Sequence, residues 1–389
     1  MIGESNLKEI KYNWNSHLLI VEALGVLETE NLPAIDQRNI SNIRLVFGKL
    51  QQHLMSENLL DEVEDLELLI VSTARLDTFV LKGDHEKYAI CISIGMVRAV
   101  WNVLLLSLCD VNIFPGYGGE NKPCKIRHRI SRRMLFGPSV IPVTPVPGRH
   151  MGNNKKEVRR YQDISPSRKE LCELLFNLVI DYLLYHEAMH VTRDHFAFKK
   201  IVDQTDCINE SGSAVLKNKM LRFLEVDADL TALEFFIPTN PEYQEFDSLS
   251  EFRKADFVFG LMFGNIILQQ LFDFQEAEEG VNAQWKQDHP PPLVRSMLFN
   301  DLLYLFFTQK KLLPGEVVQD QLEKAWWESG RVAVKLGFKK GHWYGGEMKI
   351  IPASKYNKLI KEYNQFQQLI DDSHRTGSYR KIKRFIQRL

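Results

Sequence analysis

Cysteine is scarce and unpatterned in this 389-residue chain. Cys91, Cys109, Cys124, Cys172 and Cys207 are odd in number, scattered, and contain no Cys-x-x-Cys pair. That excludes a disulfide framework and a cysteine-built zinc site, and it points to reduced thiols in a cytoplasm. A charge of one sign is also lacking. The net charge is −1, so no bulk field draws the chain toward nucleic acid or a membrane. No basic segment followed by an apolar one opens the sequence, which argues against a secretory signal. Uninterrupted hydrophobic runs are missing as well. Residues 90–108 are broken by Arg98 and Asn102, and the shorter run 257–272 carries Asn265, Gln269 and Gln270. A bilayer asks for ~20 consecutive apolar residues, so both runs read as buried core helices of a soluble protein with no membrane partner. Nor is there an internal repeat, a phosphate-binding glycine loop, or a Ser/His/Asp order.

What is present centres on His186-Glu187-Ala188-Met189-His190, an HExxH sequence. Residues four apart on a helix lie one above the other on one face. His186 and His190 can therefore offer two imidazole nitrogens to one Zn2+, with Glu187 beside them toward a water. The helix context is there. Ser167 with Glu170 reads as a capping box, Ser165-Pro166 is an alternative start, and residues 171–184 are apolar on nearly every face. On its own, the pentapeptide also fits a buried helix with two hydrogen-bonded histidines.

A third ligand decides between these readings, and Glu225-Val226-Asp227-Ala228-Asp229 supplies a candidate inside a helical stretch over 213–236 that should stop at Pro238. Glu225 and Asp229 share a face, and Asp227 points away. Glu225 from this second helix completes a His₂Glu set with one position open, the arrangement of a catalytic zinc. Asp229, one turn on, is placed to accept the outer N–H of a ligand histidine. The longer HExxHxxGxxH pattern is excluded, because Arg193 and Phe196 stand at its Gly and His positions.

HExxH, then Glu-x-x-Ala-Asp, then His289-Pro290 followed by Arg295 resembles the order of motifs in the HtpX-like and CAAX-prenyl endopeptidases. The chain is more similar to the Lit phage-exclusion peptidases, in which a further histidine follows HExxH by five positions, as His195 follows His190. An earlier stretch, residues 87–103, is similar too, a strand ending near Gly95 and entering an apolar helix. The resemblance implies that His289 stabilises the oxyanion, with Arg295 supporting its loop. It also implies a bacterial defence role in which a specific cytosolic protein is cleaved. His195 would lie about 180° from His186 if the helix continued, which favours a role behind the ligands or at the helix end.

The remaining chain reads as a 1–65 helical region, a 66–310 metallopeptidase domain, and a 311–389 helical region with a basic tail. Apolar periodicity marks helices over 7–27 and 39–60, and short apolar runs at 66–72, 78–81 and 88–94 mark strands. A strand beside the zinc helix offers its edge to an extended substrate in this class of peptidase, and 88–94 is a candidate for it. Residues 121–160 hold 11 Lys/Arg, one acid and four central prolines, which excludes a helix. This loop, with Lys125, Arg127, Arg129, Arg132 and Arg133, is either a docking surface for an acidic or nucleic-acid-associated partner or a solvated connector. Further helices are expected over 250–279, 293–309 and 320–335.

The fold class that follows is mainly α (α+β), a helical gluzincin-like metallopeptidase with a small β-sheet. The function that follows is zinc-dependent endopeptidase, with Glu187 as general base on a protein substrate. Two alternatives are a regulatory protease that cleaves a repressor and a non-catalytic interaction protein stapled by zinc.

Overall fold

The computed structural model describes residues 27, 30, 32–61, 65–73, 76–82, 87–110, 114, 164–205, 213–239, 251–278, 292–336, 338 and 353–376. It is mainly helical with one small sheet, as the apolar periodicities predict. Helix α1 (Ala34–Ser56) precedes the three strands β1 (Leu66–Val71), β2 (Thr78–Lys82) and β3 (Tyr88–Ser93). The sheet order is β1-β3-β2, with β1 parallel and β2 antiparallel to β3. The central strand is therefore β3, buried along its whole length. It is hydrogen-bonded on both sides, so residues 88–94 do not form the substrate-facing edge proposed for them. β2 stands at the sheet edge and packs against the helix that carries the HExxH sequence. On the far side of the sheet, the Ile70 carbonyl of β1 accepts from the Leu27 amide at 2.9 Å.

Helix α2 (Ile94–Leu108) leaves β3 directly, because the Ser93 hydroxyl accepts from the Met96 amide at 2.9 Å and caps its first turn. Its apolar residues are buried throughout, as expected for a core helix. Helix α3 (Pro166–Thr192), the HExxH helix, starts at Ser165 with proline in its first turn, so the Ser165-Pro166 start is used rather than the Ser167 box. Arg168 on this first turn is buried and donates to the carbonyls of Leu108 at 2.7 Å, Asp110 at 3.1 Å and Phe114 at 2.8 Å. These oxygens at and just beyond the end of α2 have no partner within that helix, and one guanidinium joins the two helix ends.

α3 does not continue past Thr192. Arg193 closes it, Asp194 takes φ 50°, and helix α4 (His195–Thr205) begins at once. Helix α5 (Ser213–Thr239) carries Glu225 and runs through Pro238 instead of stopping before it. The proline sits in the final turn, where a kink costs little further helix. Helices α6 (Glu251–Glu278) and α7 (Pro292–Gln309) follow, and then α8 (Gly315–Leu336) and α9 (Ala353–Thr376). One stretch of α6, Lys254–Gln275, is long and apolar enough to cross a membrane, but its apolar 18-residue window is 94% buried inside the protein.

The main apolar cluster joins Leu27 and α1 to Leu336 and Phe338, so the 1–65 and 311–389 regions contribute α1 and α8 to the same core as the helices between them. α6 approaches α3 through Gly260 and Gly264, where a Cβ would meet Leu178 at 3.3 Å and Val179 at 2.8 Å. A second cluster stands apart. In it Tyr363, Phe366 and Ile370 of α9 pack on Phe198, Phe223, Val226 and Leu298.

Candidate metal centre

The four-residue spacing of His186 and His190 on α3 brings their Nε2 atoms to 3.2 Å. Glu225, from α5, places Oε2 3.4 Å from His186 Nε2 and Oε1 3.6 Å from His190 Nε2. All three residues can offer a ligand atom within 4.8 Å of the others. A tetrahedral zinc with ligands at ~2.0–2.1 Å has ligand atoms about 3.3 Å apart, and each of these separations is close to that length, with one Glu225 oxygen facing each ring. Two neutral imidazoles and a carboxylate also fit the donor set of a catalytic zinc. His190 and Glu225 are partly exposed, whereas His186 is buried, so solvent reaches the cluster from the His190–Glu225 side.

Each histidine is backed by an aspartate. Behind His186, Asp229 Oδ1 stands 2.8 Å from Nδ1. The same carboxylate accepts the Tyr182 hydroxyl at 2.6 Å and two donors of Arg295, Nε at 2.7 Å and Nη2 at 2.6 Å. Burial alone would raise its pKa, yet Arg295 and His186 hold it well below the usual carboxylate range. Burial works against a charged His186, but the Asp229 charge and the hydrogen bonds of Asp229 and Glu225 lift its pKa to about 10 in the metal-free site. A cation would therefore replace a proton here. Arg295, expected to steady the His289 loop, forks onto Asp229. His289 and the basic 121–160 loop lie outside the described residues.

Behind His190 the arrangement is longer by one residue. The turn at Asp194 folds His195 back onto the end of α3, and its Nδ1 lies 2.9 Å from His190 Nδ1. His195 is buried and its Nε2 is 3.0 Å from Asp227 Oδ2. Asp227, on a different face of α5 from Glu225 and Asp229, is buried as well. It accepts Arg193 Nε at 3.0 Å and Nη2 at 3.3 Å, and the Tyr363 hydroxyl at 3.3 Å. Burial raises its pKa, but His195 and Arg193 outweigh that and bring it down to about 2.

Glu187 projects beside the ligands with little exposed surface. Burial raises its pKa, opposed by His186 and by a hydrogen bond with the Thr78 side chain at the start of β2. The edge strand thus touches the carboxylate assigned to proton transfer.

The sequence reading missed Asp227, Arg193, Tyr182, Tyr363 and Thr78 as members of this site. One signal was available for Asp227. An aspartate between Val226 and Ala228 on a largely apolar helix is bound for burial, and a buried carboxylate requires a cation and donors. No family model, curated protein or solved structure matches this chain.

Proposed function

We propose that this protein is a zinc-dependent endopeptidase. The observation that carries the reading is the convergence of His186, His190 and Glu225 at separations near those of zinc ligand atoms, with the Glu187 carboxylate beside them. Zinc in a His₂Glu set acts as a Lewis acid and lowers the pKa of a water to near neutrality. Glu187 takes a proton from the attacking water as its oxygen bonds to the scissile carbonyl carbon. It then delivers that proton to the amide nitrogen as the C–N bond breaks. Its burial and raised pKa favour this exchange, because a carboxylate poised nearer neutrality both accepts and returns a proton readily. Asp229, held ionised by Arg295 and Tyr182, stands 2.8 Å from His186 Nδ1, so its charge favours the proton on that nitrogen and leaves the Nε2 lone pair facing the other ligands.

β2 supports a peptide rather than a small-molecule substrate. An edge strand whose first residue touches the general base can pair with an extended backbone and bring its carbonyl to the ligand cluster. The similarity of the motif order to the Lit phage-exclusion peptidases extends the proposal to a defence protease cleaving a specific cytosolic protein. In that extension His289 is the oxyanion donor.

The test compares cells expressing the wild type with cells expressing Glu187→Gln, by N-terminal proteomics together with zinc content of the purified proteins. The expected result is near one zinc per chain in both and new protein termini only with the wild type. Zinc-free wild-type protein, or the same termini from both, overturns the reading.

A further inference from the structure

The C-terminal helix α9 reaches the metal centre without touching it. Arg193, the residue that closes α3, donates from Nη2 to Asp371 of α9 at 2.9 Å and also to Asp227. Tyr363 of α9 donates to the same Asp227 carboxylate. The apolar face of α9 rests on the second cluster, outside the main core, with Phe366 stacked on Phe223 at 5.2 Å.

The direction of the hydrogen bonds follows from the ligand role of His190. With Nε2 turned to a cation, its neutral ring must carry the proton on Nδ1 and donate it to His195 Nδ1. His195 Nδ1 is then a bare acceptor, so its own proton sits on Nε2 and is donated to Asp227. Every link runs one way, from metal ligand to carboxylate. Asp227 is oriented in turn by two donors, the guanidinium that Asp371 shares and the Tyr363 hydroxyl.

We propose that α9 is a working part of the metal centre, with Tyr363 and Asp371 as positioning residues that set metal affinity through Arg193, Asp227, His195 and His190. The proposal rests on the reading of His186, His190 and Glu225 as metal ligands. Its functional meaning is control. Docked, α9 fixes the tautomer and angle of His190, and any binding event that lifts α9 from its separate cluster loosens the metal and lowers activity. Helices packed on a small independent cluster are the ones a partner can displace at least cost.

The test is zinc affinity of the full-length protein by chelator competition, with cobalt(II) absorption as a probe of ligand geometry. Asp227→Asn keeps the shape of the side chain but removes the charge that fixes His195. It should weaken zinc binding ~10- to 100-fold, the usual effect of losing a partner behind a ligand. The double variant Tyr363→Phe/Asp371→Asn, both positions remote from the ligands, should weaken it by about tenfold, on the lower side of the same range, and shift the cobalt bands. Restoring the charge with Asp371→Glu in the Tyr363→Phe background should recover most of the loss. Zinc affinity within twofold of wild type in the double variant overturns the proposal, whatever Asp227→Asn does and even where the melting temperature falls, because α9 would then be a structural strap. Wild type that binds zinc no better than His186→Ala/His190→Ala overturns the metal reading itself, so the two failures are distinct.

Discussion

Glu187 and Arg295 are both largely buried beside the candidate metal cluster, Arg295 through Asp229, and their removal should have opposite signatures. Glu187 is not needed for ligand geometry, which His186, His190 and Glu225 supply. Glu187→Gln should therefore keep zinc and the folded state but lower turnover by ~10²–10⁴, the usual worth of a general base, measured on the cleaved protein against zinc content. Arg295 is the fixed charge that allows Asp229 to stay ionised inside the protein. Arg295→Met leaves that carboxylate buried and uncompensated, which should cost roughly 3–5 kcal/mol in a denaturant titration. Adding Asp229→Asn to it should restore part of the loss, since neither charge then remains. A double variant less stable than Arg295→Met would contradict this account. The convergence of His186 and His190 was legible in the sequence because four-residue spacing on a helix fixes which side chains meet. Asp227 was not, because its partners come from the turn at Asp194 and from a helix more than a hundred residues later. Helical periodicity places a residue on a face but does not say what that face meets.

At the scale of elements, the three strands and the helices other than α4 and α9 were visible as apolar periodicities with bounds a few residues off, while the helix expected over 7–27 falls almost wholly outside the described residues. Their mutual order was not visible. Residues 88–94 read as an isolated apolar strand, and only the pairing with Leu66–Val71 on one side and Thr78–Lys82 on the other makes them central. The end of α3 was hidden for a different reason. Thr192-Arg193-Asp194-His195 contains neither glycine nor proline, and the break depends on an aspartate accepting the left-handed region, which short polar side chains do more readily than most. The glycines of α6 give an element-scale prediction. At Gly48 of α1, where a Cβ meets nothing within 4 Å, Gly48→Ala should stabilise by about 1 kcal/mol through helix propensity. At Gly264 the new methyl would lie 2.8 Å from Val179, a branched side chain with one preferred rotamer on the metal helix. Gly264→Ala should reverse the sign and cost about 1–3 kcal/mol by forcing α3 and α6 apart. Calorimetry on the two variants decides it, and a stabilised Gly264→Ala would show that the seam has room to spare.

For the molecule as a whole, the question is whether a metal builds the fold or acts upon it. Small zinc modules unfold when the metal is removed, because they have little other core. Here the main apolar cluster runs from Leu27 to Phe338 and takes in the sheet, α1, α2, α3 and α5 to α8, and it is built from apolar side chains rather than from His186, His190 or Glu225. Hydrophobic burial on that scale keeps the chain folded without a cation. Ligand binding to the native state then adds stability by mass action, about 2.7 kcal/mol at a hundredfold excess of zinc over its dissociation constant. For a protein of this size that corresponds to a rise in melting temperature of roughly several degrees. Chelation should therefore lower the melting temperature by that amount while leaving the helical circular dichroism at 25 °C and a cooperative transition intact, and zinc should restore the difference. His190→Ala should melt at the metal-free temperature whether zinc is present or not. Loss of helical signal on chelation at 25 °C would instead make the ion a structural staple, and the zinc-stapled interaction protein would then be the better reading of the same three ligands.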